Sequence, residues 1–122
     1  MKHNAKSIRP FIGAKNFEIS RNFYNDLGFE ENILSHNLSV FKSGNHAFYL
    51  QESYVKDWVD NTMIFMEVES VDIFWKELIT LDLDKKYESV KLIPIRIMDW
   101  GKECFVHDPS GILWHFGEFK KI

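Results

Sequence analysis

Residues 108–116 read Asp108-Pro109-Ser110-Gly111-Ile112-Leu113-Trp114-His115-Phe116. Asp first, Pro second and Gly fourth is the order a type I turn prefers. Beyond the turn, Ile112, Trp114 and Phe116 alternate with Leu113, His115 and Gly117, which is the period of a strand. Residues 102–106 precede the turn, so 102–106 and 112–117 form a hairpin. Residues 90–98 supply a further strand, and Pro94 marks it as an edge strand or the site of a bulge. Upstream, Ser70 is an N-cap with Asp72 in the first turn, and Val71, Phe74, Trp75 and Leu78 recur at helical spacing. Residues 62–68 read as the strand before that helix. The second half of the chain is therefore β-α-β-β-β.

The first half has the same order. Residues 8–14 read as a strand, with Pro10 and Ile12 facing the helix beside Ala14. Asn16 caps a helix bearing Phe17, Phe23, Tyr24 and Leu27, and Gly28 ends it. Strands follow at 29–34, 38–42 and 47–51, the last two joined by Ser43-Gly44-Asn45. Residues 53–61 are polar, carry Trp58, and read as a linker with room for one helical turn. The expected fold is α+β: one domain over 1–122, with a first module at about 7–52 and a second at about 62–118. Each module is a curved antiparallel sheet with a helix on its convex side.

Composition narrows the function. One cysteine, Cys104, excludes an intrachain disulfide. A net charge of −3 argues against nucleic acid as a partner. No apolar run reaches the length of a membrane span, and no apolar segment follows Met1, so the cytoplasm is the expected location. A small domain with eleven phenylalanines either packs them all in a core, which takes most of them, or lines a cavity with some. No Gly-x-Ser-x-Gly elbow and no glycine-rich phosphate loop occurs. Nothing around Cys104 marks it as reactive, since Lys102 and Glu103 offset one another.

Phe23-Tyr24-x-x-Leu27-Gly28-Phe29 and Asp108-Pro109-Ser110-Gly111-x-x-Trp114-His115-Phe116, set in this element order, resemble the vicinal oxygen chelate superfamily. That group holds glyoxalase I, extradiol dioxygenases and bleomycin-resistance proteins. Trp100-Gly101-Lys102-Glu103-Cys104-Phe105 is similar to the bleomycin-resistance subgroup. The resemblance implies a homodimer with ligand crevices between the chains, and places Trp100 at the opening of a crevice. For the superfamily's enzymes it implies a divalent metal in the concave sheet. The matching positions here are Arg9, Tyr49 (or Gln51), Met63 and His115. Only His115 is a conventional ligand; Arg9 repels a cation and Met63 is soft. No metal and no cofactor are therefore expected.

Strand alternation assigns the concave lining. It comprises Arg9, Phe11, Tyr49 and Gln51 from the first module, and Met63, Phe65, Glu67 and His115 from the second, with Trp100 at the rim. Apolar walls with a few polar groups suit a small-molecule cleft. Arg9 needs a partner, either Glu67 within the chain or an anionic group on a ligand. His107 reads as one residue out of the register that would share a face with His115. The expected function is sequestration of an aromatic or drug-like ligand without metal, as in antibiotic resistance, rather than catalysis. Bleomycin itself is cationic, and Arg9 works against it. The alternative is a glyoxalase-like lyase or isomerase using His115 as metal ligand or base.

Overall fold

The computed structural model describes residues 1–121. The first module runs β1 (Phe11–Ala14), α1 (Phe17–Asp26), β2 (Glu30–Ser35), β3 (Leu38–Ser43) and β4 (His46–Glu52). A short helix α2 (Lys56–Asp60) occupies the linker. The second module runs β5 (Met63–Glu67), α3 (Val71–Thr80), α4 (Leu83–Lys86), β6 (Lys91–Met98), β7 (Gly101–His107) and β8 (Leu113–Phe119). The sheets have the strand orders β1-β4-β3-β2 and β5-β8-β7-β6. This is the expected pair of βαβββ modules.

Each sheet is mixed, which the expectation of antiparallel sheets did not include. β1 runs parallel to β4, and β5 parallel to β8. The helix returns the chain, so β2 starts in the direction of β1. Two hairpins then reverse it twice, and the fourth strand again runs with the first. β1 starts at Phe11 rather than residue 8. Pro10 is exposed instead of packing under the helix, although its carbonyl still accepts from Tyr49 N at 2.9 Å. Pro10 has no N–H to offer, so the regular ladder begins one residue later. Arg9 therefore precedes the strand. Pro94 lies where β6 shifts register against β7, between Ile93 and Arg96, on the outer strand of its sheet. α4 falls in a stretch too short for periodicity to be read.

Local signals explain both long helices. Asn16 Oδ1 accepts from Ile19 N at 3.1 Å, and Ser70 Oγ accepts from Ile73 N at 3.2 Å. Gly28 sits at φ +108°, where a side chain is disfavoured. That turn lets Phe29 N donate back to Tyr24 O at 3.1 Å. α1 buries Phe17, Phe23 and Tyr24, and α3 buries Val71 and Leu78.

The modules share one core. Trp114 of β8 packs against Tyr24, Phe29 and Phe48 of the first module at centroid distances of 5.8, 5.6 and 5.4 Å. The Tyr24 hydroxyl donates to Asp108 Oδ2 at 2.5 Å and accepts from Trp114 Nε1 at 3.0 Å. The other Asp108 oxygen accepts from the backbone N–H of Ser110, Gly111 and Ile112. The acidic turn and the aromatic helix, the two motifs that stood out in the sequence, are thus joined by a buried hydrogen-bond relay. The helix-bearing sides of both sheets meet there, and the opposite faces stay open.

Candidate functional site

The open face of the second sheet carries the densest chemistry. β7 and β8 pair Phe105 with His115, Glu103 with Gly117 and His107 with Leu113. Those side chains share one face. His107 is therefore on the same face as His115, one pair further along, which corrects the expected register. The ladder closes at the His107–Leu113 pair, with Asp108 N–H donating to Ile112 O at 2.9 Å beyond it.

His115 Nδ1 lies 2.8 Å from Glu103 Oε1. Glu103 is buried and sits across from Arg96 of β6. A carboxylate accepts from Nδ1–H, which leaves Nε2 as the outward lone pair of the neutral ring. Nε2 is buried and has no hydrogen-bond partner. Phe105 packs edge-on to the imidazole at 4.9 Å, and Phe65 lies 6.4 Å away. Arg96 covers Phe105 at 5.5 Å. Sequence reading missed Glu103, Phe105 and Arg96; strand parity from His115 across the hairpin would have found the first two.

Phe65 and Trp100 rest on Gly117. A Cβ there would come within 2.5 Å of the Phe65 ring and 3.2 Å of Trp100. Trp100 packs against Phe65 at 5.9 Å and Phe119 at 5.2 Å, so its indole belongs to this aromatic wall. Phe65 remains 44% exposed, and Met63 on the same strand 65%. Glu67, at the far end of β5, is exposed.

The first sheet has a smaller counterpart. Phe11 stacks on Tyr49 at 4.6 Å, with Gln51 beyond it opposite Gly13. The Arg9 guanidinium lies 5.9 Å from the Tyr49 ring, and Arg9 Nε is buried without a partner. Among the described residues Arg9 makes no ion pair, so the internal Arg9–Glu67 pair is not formed. No hydrogen bond, ion pair or ring contact among the described residues joins the Arg9–Phe11–Tyr49–Gln51 group to the Met63–Phe65–Glu67–Trp100–His115 group. The chain brings each group together on its own sheet and leaves the two apart. A cavity of about 420 Å³ lies between the modules. His46–Phe48 and Ile64–Glu67 border it, and of the expected residues only Phe65 and Glu67 reach it.

The donor set does not suit a metal. Among the described residues no three His, Cys, Asp or Glu side chains converge. His115 with Glu103 supplies two groups, already engaged with one another. Cys104 is buried on the other face, and burial pushes its thiol up to about 11, so it is no thiolate donor.

No protein-family model matches the sequence, and no curated protein matches it. Solved structures do. The bleomycin-binding protein from bleomycin-producing Streptomyces verticillus, complexed with copper(II)-bleomycin, superposes with a TM-score of 0.79 at 21% identity, over 98% of this chain and 100% of that one. A bleomycin resistance determinant encoded on the transposon Tn5 gives 0.73 at 12% identity, over 96% and 100%. Lactoylglutathione lyase from Agrobacterium tumefaciens gives 0.71 at 16% identity, over 95% and 96%. The paired βαβββ modules, their strand order and these superpositions together show that the chain has the vicinal oxygen chelate fold, in the form shared by bleomycin-binding and glyoxalase-family proteins.

Proposed function

We propose that this protein binds a planar aromatic or drug-like small molecule on its open sheet faces, without a metal, as a cytoplasmic homodimer. The observation that carries the reading is the half-exposed aromatic wall of Phe65, Trp100 and Phe119 around the Glu103–His115 pair. Apolar walls provide affinity, and His115 and Arg9 orient polar groups of the ligand. A second copy covers the apolar side chains of both faces and closes a crevice between Arg9, Phe11, Tyr49 and Gln51 of one chain and the Phe65 wall of the other. The fold's bleomycin-binding representatives favour sequestration over turnover, and protection from a toxic compound is the matching role.

The experiment is a fluorescence titration of tag-free protein in EDTA with a panel of planar aromatics, including metal-free bleomycin. Saturable quenching, weakened about tenfold or more in Phe65→Ala, is expected. No saturable binding by any compound would overturn the proposal. A second reading, a glyoxalase-like lyase or isomerase, rests on the carboxylate-oriented imidazole, a pairing suited to a base or ligand histidine. Near-stoichiometric retention of zinc, nickel or manganese, lost in His115→Ala, would replace the first reading with the second.

A further inference from the structure

A second concavity lies at the end of the second sheet's open face, beyond Leu113 from His115, where the start of α1, the linker and the β7–β8 turn converge. Its volume is about 270 Å³, and Lys15, Tyr54, Ser89, Lys91, His107 and Ser110 contribute to its wall together with Pro109 and Gly111. Three of these side chains are basic or can become cationic, three are hydroxyls, and none is a carboxylate. That composition runs against the whole chain, whose net charge is −3.

The basic groups are held there by the fold. Lys91 and His107 are cross-strand partners at the end of β6 and β7, so they stand side by side. Like charges in that position repel. Lys15 reaches from the residue before the α1 cap, its ammonium 5.6 Å from the Tyr54 ring. Its backbone N–H donates to Ser110 Oγ at 2.9 Å, which ties the start of α1 to the turn. Among the described residues neither Lys15 nor Lys91 forms an ion pair, whereas Lys56, Lys85, Lys86 and Lys102 each have an aspartate. Burial and the Lys91 charge hold the His107 imidazole below its ordinary value. The adjoining cavity, about 350 Å³, shares Lys15, Ser89 and Ser110 and adds Ile19, Tyr87 and a single acid, Glu88.

We infer that this concavity is a binding site for a phosphate-type oxyanion, with Lys15 and Lys91 supplying charge and Ser89 and Tyr54 supplying hydroxyl donors. Lys15 and Lys91 come from the two modules, Tyr54 and Ser89 from two loops, and all four line this one cavity. A tetrahedral anion with three or four acceptor oxygens can use all of them, which a planar carboxylate cannot. A bound anion also offsets the Lys91 charge that disfavours the protonated His107 imidazole. The anion is either free phosphate or the phosphate group of an organic ester whose body extends past Ile19 and Tyr87. The inference does not rest on what binds at the Phe65–Trp100–Phe119 wall, none of whose residues lines this cavity.

The test is an NMR titration of the histidine side-chain signals at constant ionic strength. The probes are inorganic phosphate, phenyl phosphate, acetate and chloride. The expected result is a saturable shift of His107 with the two phosphates and a rise in its pKa, with His115 unmoved. Lys15→Gln/Lys91→Gln is expected to weaken binding about a hundredfold, since each lost charged donor is worth about tenfold. Lys91→Gln alone gives an intermediate value. Both lysines are exposed, and a thermal melt checks that the variants fold. Tighter binding of phenyl phosphate assigns the site to an ester; equal binding assigns it to the free ion. Equal shifts with acetate or chloride, no saturable shift, or unchanged affinity in the double variant would overturn the inference.

Discussion

Tyr24 shows how much one hydroxyl can carry. It is fully buried, it donates to Asp108 and it accepts from Trp114. Burial, reinforced by the Asp108 charge, drives its phenol well above the ordinary value, which favours the protonated, donating form. Removing the oxygen would leave one Asp108 oxygen and the Trp114 N–H without partners in the core. Tyr24→Phe is therefore expected to cost about 1–3 kcal/mol in urea unfolding, more than the loss of a surface hydrogen bond. A change under half a kcal/mol would mean that water replaces the hydroxyl. In the sequence Tyr24 was legible as an apolar stripe residue and Asp108 as a turn former. Their bond was not, because they are 84 positions apart and only the docking of the modules brings them together.

Single elements carry their own charge logic. α1, β2 and β3 are linked by a polar cluster on the helix-bearing side of the first sheet. Arg21 Nε donates to Glu31 Oε2 at 2.6 Å, and the same oxygen accepts from Ser39 at 2.6 Å. Asn25 donates to the other Glu31 oxygen at 3.0 Å. Burial works against the charged form of Glu31, but Arg21, Ser39 and Asn25 outweigh it and hold the carboxyl below its usual value of 4.5. A depressed folded-state pKa means that the unfolded chain takes up the proton first. The stabilisation is complete above pH ~4.5 and is lost as pH falls through the folded value. Urea midpoints measured from pH 7 to pH 3 should fall below that point, and Glu31→Gln should flatten the fall. An identical pH profile in the variant would show that other acids, such as Asp26 beside Lys86, govern it. Alternation from Phe41 across the β2–β3 ladder places Glu31 on the helix-bearing side. What alternation could not show was that Arg21 lies above.

At the scale of the whole molecule, the arrangement leaves two apolar faces uncovered. Phe11 is 56% exposed on one sheet, while Met63 and Phe65 stand out on the other. Each face is built from strands of one module, and the shared core holds them apart. A homodimer that pairs these faces predicts that Met63→Lys/Phe65→Lys weakens self-association about a hundredfold or more. Light scattering across a concentration series measures it. Because both positions are exposed, the variant monomer should melt close to wild type. A wild-type protein that stays monomeric at high concentration would overturn the pairing.

Much was set by local sequence. The caps at Asn16 and Ser70, the turn at Asp108, the Gly28 reversal and the strand alternation each follow from the chemistry of a few neighbours. Together they define two βαβββ modules and the side of each strand that faces a helix. One weak point was also local in origin: Pro10, with no N–H to donate, delayed a strand. What only the tertiary structure decided is which surfaces meet. Hydrophobic burial is non-directional, so the sequence left the concave faces free to pair with one another or with another chain. The ring contacts of Trp114 with Tyr24, Phe29 and Phe48, together with the Tyr24–Asp108 bond, joined the helix-bearing sides instead. The same docking separated Arg9 from Glu67 and brought Lys15 to the cavity beside Lys91 and His107, whereas the Glu103–His115 pair belongs to the β7–β8 hairpin of one module.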